Sequence, residues 1–192
     1  YDKLPNGGGK SMGTFAEDCA SKYKFSREEQ DAYAIESTRR ARVANEDGSF
    51  QWEIAPVKIA GRKGETTVER DESPFKSDPD KIPSLRPAFR KDGTVTAATS
   101  SSISDGAAAM VLMRESTAKE LGCTPIARIV GHTTHSQEPQ WFTTAPVGAI
   151  EKLYAKTGWN SKTTDLYEIN EAFAVVTMAA MREHDLPHDK VN

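Results

Sequence analysis

"GTVTAATSSSISDGAAAMVLM", residues 93–113, sets two apolar segments on either side of a run of small hydroxyl side chains. Residues 94–97 read as a strand, and residues 107–113 read as a strand apolar on both faces, the pattern of a position buried within a sheet. Between them the side chains are small, and Asp105-Gly106 marks a turn. Small residues let a ligand approach the backbone closely. The stretch therefore predicts a buried sheet with a ligand-sized gap beside it.

Reading onward, "ESTAKELG" predicts a short helix ended by Gly122, and "TPIARIVGHTT" another strand. "APVGAIEKLYAKTG" predicts an amphipathic helix with Val147, Ile150, Leu153 and Tyr154 on one face and Gly158 as its stop. Residues 165–169 then read as a strand and 171–184 as a helix. Strand and helix alternate from residue 105 on, so the fold class is α/β, with layered sheets and helices.

Reading back, "MGTFAEDCASKYK" places Phe15, Cys19 and Tyr23 on one helical face, which makes Cys19 a buried core thiol. Ser26 and Glu29 form a capping box for a helix that ends at Gly48. "FQWEIAPVKIA" alternates as a strand and turns through "GRKGE" into "TTVERD". The proline-rich "ESPFKSDPDKIPSLRP" reads as an ordered surface loop. "PNGGGKS" is turn-rich, and Gly7 to Gly9 are expected to lie near a ligand, but the spacing is not that of a phosphate loop.

Composition narrows the function. The 192 residues carry 25 basic and 28 acidic groups, net −3, so no field is built for nucleic acid. Arg39, Arg40 and Arg42 share their helix with acids and read as a solvated face. No apolar run reaches the ~18–20 residues that span a bilayer, and the first residues lack the apolar core of a secretion signal. Two cysteines make no disulfide framework, and a reducing compartment fits, the cytoplasm or an organelle matrix. His132 and His135 are expected to face apart with no carboxylate or thiol to complete a metal site. His184 and His188 are expected at a solvated helix end.

Asn170 stands where a strand meets a helix, in "YEINEAFAVV". Asparagine there is a natural N-cap, and it is equally a hydrogen-bonding group for a site; the residues alone leave both open. Glu171 favours a helix N-terminus and a supporting hydrogen-bond role.

Taken in order, "MGTFAED", "SREEQDAYA", "LRPAF", "DGTVTAATSSSISDGAAAMVLM" and "NEAFA" resemble five elements of the thiolase family, the acyl-CoA acyltransferases. The resemblance extends over essentially the whole chain. It implies a thiolase-like fold, two similar α/β halves with an inserted loop domain. Residues 1–103 would be most of the loop domain, 104–125 the end of the N-terminal half, and 126–192 the start of the C-terminal half. It also implies that the nucleophilic cysteine lies before Tyr1, and the histidine and base cysteine after Asn192. The chain is thus expected to be an internal piece of a longer enzyme, without a nucleophile of its own.

The same resemblance assigns residues. Asn170 would hold a water that stabilises a thioester oxyanion. Met12, Ala88, Phe89, Ala97, Ser101, Phe142, Ala172 and Phe173 would contact coenzyme A or the acyl group. Ser11 stands where many short-chain members have histidine, and Ser100 and Ser102 add hydroxyls around Ser101. Coenzyme A enters as substrate, with no permanently bound cofactor and no metal. The expected reaction is 3-ketoacyl-CoA thiolysis or acetoacetyl-CoA synthesis by a homodimer or homotetramer. Two other readings are a non-catalytic acyl-CoA or lipid-binding relative and a purely structural segment.

Overall fold

The computed structural model describes residues 10–62 and 64–192. Gly7 to Gly9, expected near a ligand, lie outside the described residues. Six α-helices lie among the described residues: α1 Met12–Tyr23, α2 Arg27–Glu46, α3 Ser73–Lys76, α4 Glu115–Glu120, α5 Ala145–Thr157 and α6 Ala174–His184. The ladder among the described residues is a two-stranded antiparallel hairpin, β1 Val57–Gly61 with β2 Gly64–Val68, in register Val57 to Val68.

Helix α6 is the hub, packing on α1, α2 and α5. Its Val175, Val176 and Ala179 meet Ala16, Cys19 and Ala20 of α1 in one cluster that also holds Phe25, Val95 and Phe173. Alanines at these positions let the two helices approach closely, and each fully buried valine is worth about 1.5–3 kcal/mol. A second cluster joins Ala180 to Ile169, Leu186 and Val191.

Sequence cues set the helix ends. The capping box at Ser26 forms in both directions: Ser26 Oγ accepts from Glu29 N, and Glu29 accepts from Ser26 N. Gly48 and Gly158 take positive φ just past α2 and at the cap of α5, where a left-handed residue closes a helix. Lys24 and Asp185 do the same for α1 and α6 without being glycine.

The loop expected at 72–87 is ordered: it folds into α3 and a 3₁₀ segment, Pro79–Ser84. Arg27 holds it by donating to the carbonyls of Ile82 and Leu85, at 3.1 and 2.8 Å. Arg42 donates to Pro74 O at 2.7 Å and to Ser77 O. Arg40 donates to His188 O at 3.0 Å and to Val191 O. The arginine face of α2 is therefore not simply solvated; Arg40 and Arg42 staple the segments that cross it.

Several expected strands differ. The strand expected at 50–60 begins only at Val57, because residues 51–53 form a turn after α2. Residues 94–97 form a loop, since Thr94 N and Val95 N donate to the Glu17 carboxylate and Thr96 N to Thr99 Oγ1, taking three of the four amides away from any ladder. Residues 107–113 and 126–130 form no regular secondary structure and are exposed rather than buried. No strand among the described residues lies beside them to take up their backbone groups. The strand at 165–169 is reduced to a single parallel bridge, Tyr167 to Val191.

Candidate active site

The site forms where the small-hydroxyl run meets the entry to α6. Ser100 and Phe173 make an antiparallel bridge. Ser101 N donates to Ala172 O at 3.1 Å, and Ala174 N donates to Thr99 O at 2.9 Å. That second bond satisfies the first orphan amide of α6, which therefore starts at Ala174 with Phe173 as its N-cap residue, extended at φ −148°. The helix expected from residue 171 is delayed because residues 172–174 are paired with 99–101.

This geometry removes the capping reading of Asn170. Three residues before the N-cap residue Phe173, it is not the cap, and its side chain has no hydrogen bond among the described residues. Asn170 is exposed on the wall of a cleft of about 370 Å³, together with Phe142, Ala172, His135, Ala145, Pro146, Ala149 and Val176. The cleft is mostly apolar, with Asn170 and His135 as its polar groups.

Phe173 organises the aromatic floor. Its ring meets Phe89 edge-on at 5.9 Å and Phe142 at 6.4 Å, and Phe142 in turn meets Phe15 at 6.4 Å. Such pairs add about 0.5–1.5 kcal/mol beyond the area they bury. Gly13 makes room for Phe89: a Cβ there would come within 2.2 Å of the ring.

The structure thus unites Asn170, Phe142 and Ala172 in one cleft and ties Ser101, Phe89 and Phe173 to it. Met12 opens α1 immediately before Gly13 and is 46% exposed. Ala88 is held by its N–H to Val95 O at 2.9 Å, and Ala97 is exposed on the loop between Val95 and Thr99. None of these three lines the Asn170 cleft.

Glu171 does not serve the helix N-terminus. Its carboxylate accepts from Tyr33 Oη at 2.6 Å and Ser37 Oγ at 2.7 Å, both on α2. Glu168, nearby, is raised above the usual carboxylate range by partial burial and then by the charge of Glu171.

The histidines depart from expectation. His135 lines the cleft. It sits over Gly148, where a Cβ would come within 2.4 Å of the ring, and it contacts Gln137 Oε1 at 3.1 Å. Gln137 also donates to Thr144 Oγ1 at 2.7 Å, which fixes the orientation of its amide. His184 is half-buried, with Nε2 3.1 Å from Val147 O. His188 stacks on Tyr33 at 5.1 Å, and burial followed by the charge of Arg40 pushes its pKa down. Helices α5 and α2 partly cover these two rings, so they are half-buried rather than freely solvated. Cys19 is the core thiol expected, 0% exposed, with its pKa raised by burial. Among the described residues no cluster of three His, Cys, Asp or Glu could hold a metal.

Sequence reasoning missed Tyr33, Ser37 and His135. Tyr33 and Ser37 stand four residues apart on one helical face, a hydroxyl pair that was legible but pointed to no partner. His135 was weighed only with His132 as a metal pair, and only the fold places it in the cleft with Asn170.

Comparison with known proteins identifies the family. The family model "Thiolase, N-terminal domain" matches residues 7–116, and "Thiolase, C-terminal domain" matches residues 123–192. The chain belongs to the thiolase family. A probable acetyl-CoA acetyltransferase of Dictyostelium discoideum is 49% identical over 185 residues, 96% of this chain and 45% of that protein. Acetyl-CoA acetyltransferase 2 of Arabidopsis thaliana is 48% identical, over 94% of this chain and 46% of its own length. The chain spans about half the length of the curated relatives it matches. Among solved structures, the Bacillus anthracis acetyl-CoA acetyltransferase superposes with TM-score 0.92 and 42% identity, covering 95% of this chain and 47% of that one. The Acat5 thiolase of Ascaris suum, solved in complex with coenzyme A, superposes with TM-score 0.88 and 40% identity, with the same two coverages, 95% and 47%. The fold is therefore that of a thiolase over nearly all of the chain. No described helix is long and apolar enough to cross a membrane.

Proposed function

We propose that this chain is the part of a thiolase that supplies the coenzyme A-facing wall and the oxyanion asparagine. In the complete reaction a cysteine thiolate attacks the 3-keto carbon of an acyl-CoA. The C2–C3 bond breaks, its electron pair leaves as the enolate of acetyl-CoA, and that enolate takes a proton. The thiolate of free coenzyme A then takes the acyl group from the cysteine. The reverse sequence condenses two acetyl-CoA molecules to acetoacetyl-CoA.

In this reading Asn170 orients a water that, with a histidine, donates to the thioester oxyanion. The observation that carries it is the carboxamide of Asn170, not spent on capping and unbonded among the described residues, standing beside Phe142 and Ala172 in an apolar cleft. Ser101, Phe89, Phe173 and Ala172 border the pantetheine channel, with Met12, Ala88 and Ala97 at its ends. Coenzyme A enters as substrate, and no permanently bound cofactor is required.

Residues 1–103 belong on this reading to the loop domain, 104–125 to the N-terminal half and 126–192 to the C-terminal half. The exposed apolar strands at 107–113 and 126–130 pair with the remaining half of the enzyme, which assembles as a homodimer or homotetramer. The test is thiolysis of acetoacetyl-CoA, followed by loss of the enolate absorbance. The full-length gene product turns over and the 192-residue chain alone does not. Inactivity of the full-length protein towards every acyl-CoA offered contradicts the proposal.

A further inference from the structure

Asn170 is flanked on both sides by residues whose positions are fixed by side chains from elsewhere in the chain. On one side, the Asn192 side chain closes a two-bond ring on Ile169: its Oδ1 accepts from Ile169 N at 2.8 Å and its Nδ2 donates to Ile169 O at 3.0 Å. On the other, both oxygens of Glu171 are occupied by hydroxyls of α2, Tyr33 at 2.6 Å and Ser37 at 2.7 Å. Between these two anchors the Asn170 side chain makes no hydrogen bond to any described residue.

The α2 anchor is itself rigid. Tyr33 is 5% exposed and its ring lies flat on His188, at 5.1 Å and 15°. Arg40, two turns further along α2, holds the carbonyls of His188 and Val191. One helix therefore grips the chain at Glu171 and again at 188–191. Burial, with Glu171 beside it, raises the Tyr33 pKa, so the phenol remains a donor through the neutral range.

We propose that Tyr33 and Ser37 are positioning residues of the acyl-transfer site, acting through Glu171 to hold the Asn170 carboxamide in its working orientation. This rests on the reading of Asn170 as the oxyanion-water residue. Its physical basis is that a group must be held in advance to stabilise a transient charge, and a displacement of about 1 Å can cost about 10²-fold in rate. Glu171 is the link because an ionised carboxylate can accept both hydroxyls at once. Neither hydroxyl is among the cleft-lining groups, so neither is assigned contact with substrate.

The test uses the full-length gene product and acetoacetyl-CoA thiolysis, with melting temperature measured on every sample. Tyr33→Phe and Glu171→Ala should lower kcat by about ten- to a hundredfold with KM for coenzyme A unchanged. Glu171→Gln should keep most of the rate, because its amide oxygen still accepts from Tyr33 and its NH₂ can donate to Ser37 Oγ. In an Asn170→Asp background, Tyr33→Phe should cause little further loss, since the residue it positions is already gone. Losses that multiply in the double variant, that appear in KM, or that Glu171→Gln shares with Glu171→Ala would overturn the inference. If Asn170→Asp is crippled while Tyr33→Phe and Glu171→Ala keep the parent kcat, the positioning role alone fails. If Asn170→Asp is itself unimpaired, the oxyanion reading fails, and the positioning role fails with it.

Discussion

Residues 165–173 and 107–113 each hold a segment that the sequence reads as a strand, yet they end in opposite states. The first is tied at Tyr167 to Lys190 and Asn192, at Ile169 to the Asn192 side chain, and at Ala172 to Ser101. The second carries Met110 at 85% and Val111 at 85% exposure, with its backbone in no ladder among the described residues. Their compositions differ, 107–113 being wholly apolar and 165–173 carrying Asp165, Glu168, Asn170 and Glu171, and it is the more apolar segment that stands exposed. A strand is a statement about neighbours, because each backbone amide and carbonyl needs a partner before burial is favourable. The site is built in the region whose partners lie within this chain.

Hydrogen exchange read by mass spectrometry gives the largest expected effect. In the 192-residue chain alone, amides at 107–113 and 126–130 should exchange at the rate of an unfolded peptide. Those at 175–180 should be slower by several orders of magnitude, on the order expected of a core helix. In the full-length protein the first group should slow as well. Protection of 107–113 in the chain alone would break the contrast.

A smaller effect is expected at the loop that presents the small-hydroxyl run. Glu17 is 2% exposed and accepts from Thr94 N at 2.9 Å and Val95 N at 3.0 Å. Glu17→Ala leaves both donors unpaired and should cost roughly 2–5 kcal/mol, at about 1–3 kcal/mol per unsatisfied buried group. Gly93→Ala puts a Cβ 2.1 Å from Glu17 Oε1, so it should destabilise in the same direction, and the two changes should not add. Urea midpoints on the singles and the double check this. Full additivity would mean that Glu17 and Gly93 act independently.

The smallest effect concerns pH. Burial and then the charge of Arg40 depress His188, against opposing pulls from Glu36, Glu171 and Asp189. The folded state therefore binds fewer protons than the unfolded one between its lowered pKa and the unfolded value of about 6.5. Stability from this group is complete above about 6.5 and declines as pH falls through that window to the folded pKa, below which it is constant. Thermal melts from pH 7.5 to 5 should show a shallower decline in His188→Gln than in the parent.

Local signals were the most legible part of the fold. The Ser26 capping box, the glycine stops at Gly48 and Gly158, and the α1 face through Phe15 and Cys19 depend on residues close in sequence, and each forms where expected. The α/β class and the thiolase family were legible because five motifs fall in one order, and the solved relatives superpose over 95% of the chain. What could not be read was long-range. Tyr33 and Ser37 reach Glu171 across more than a hundred residues, and Arg40 reaches Val191 likewise. The start of α6 at Ala174 depends on pairing with Thr99, which no property of "NEAFA" announces. Asn170 was ambiguous for that reason: whether it caps α6 turns on where the helix begins, and pairing with residues 99–101 sets that.

The most direct measurement is kcat for acetoacetyl-CoA thiolysis by full-length Asn170→Asp, paired with its melting temperature. Aspartate caps a helix about as well as asparagine, so a capping residue would tolerate the change. A carboxylate beside a developing oxyanion would repel it. The structure, with the cap at Phe173, predicts an unchanged melting temperature and a rate lower by ~10²–10³-fold, the scale of losing one oxyanion donor. An enzyme that keeps both its stability and its rate would contradict the account.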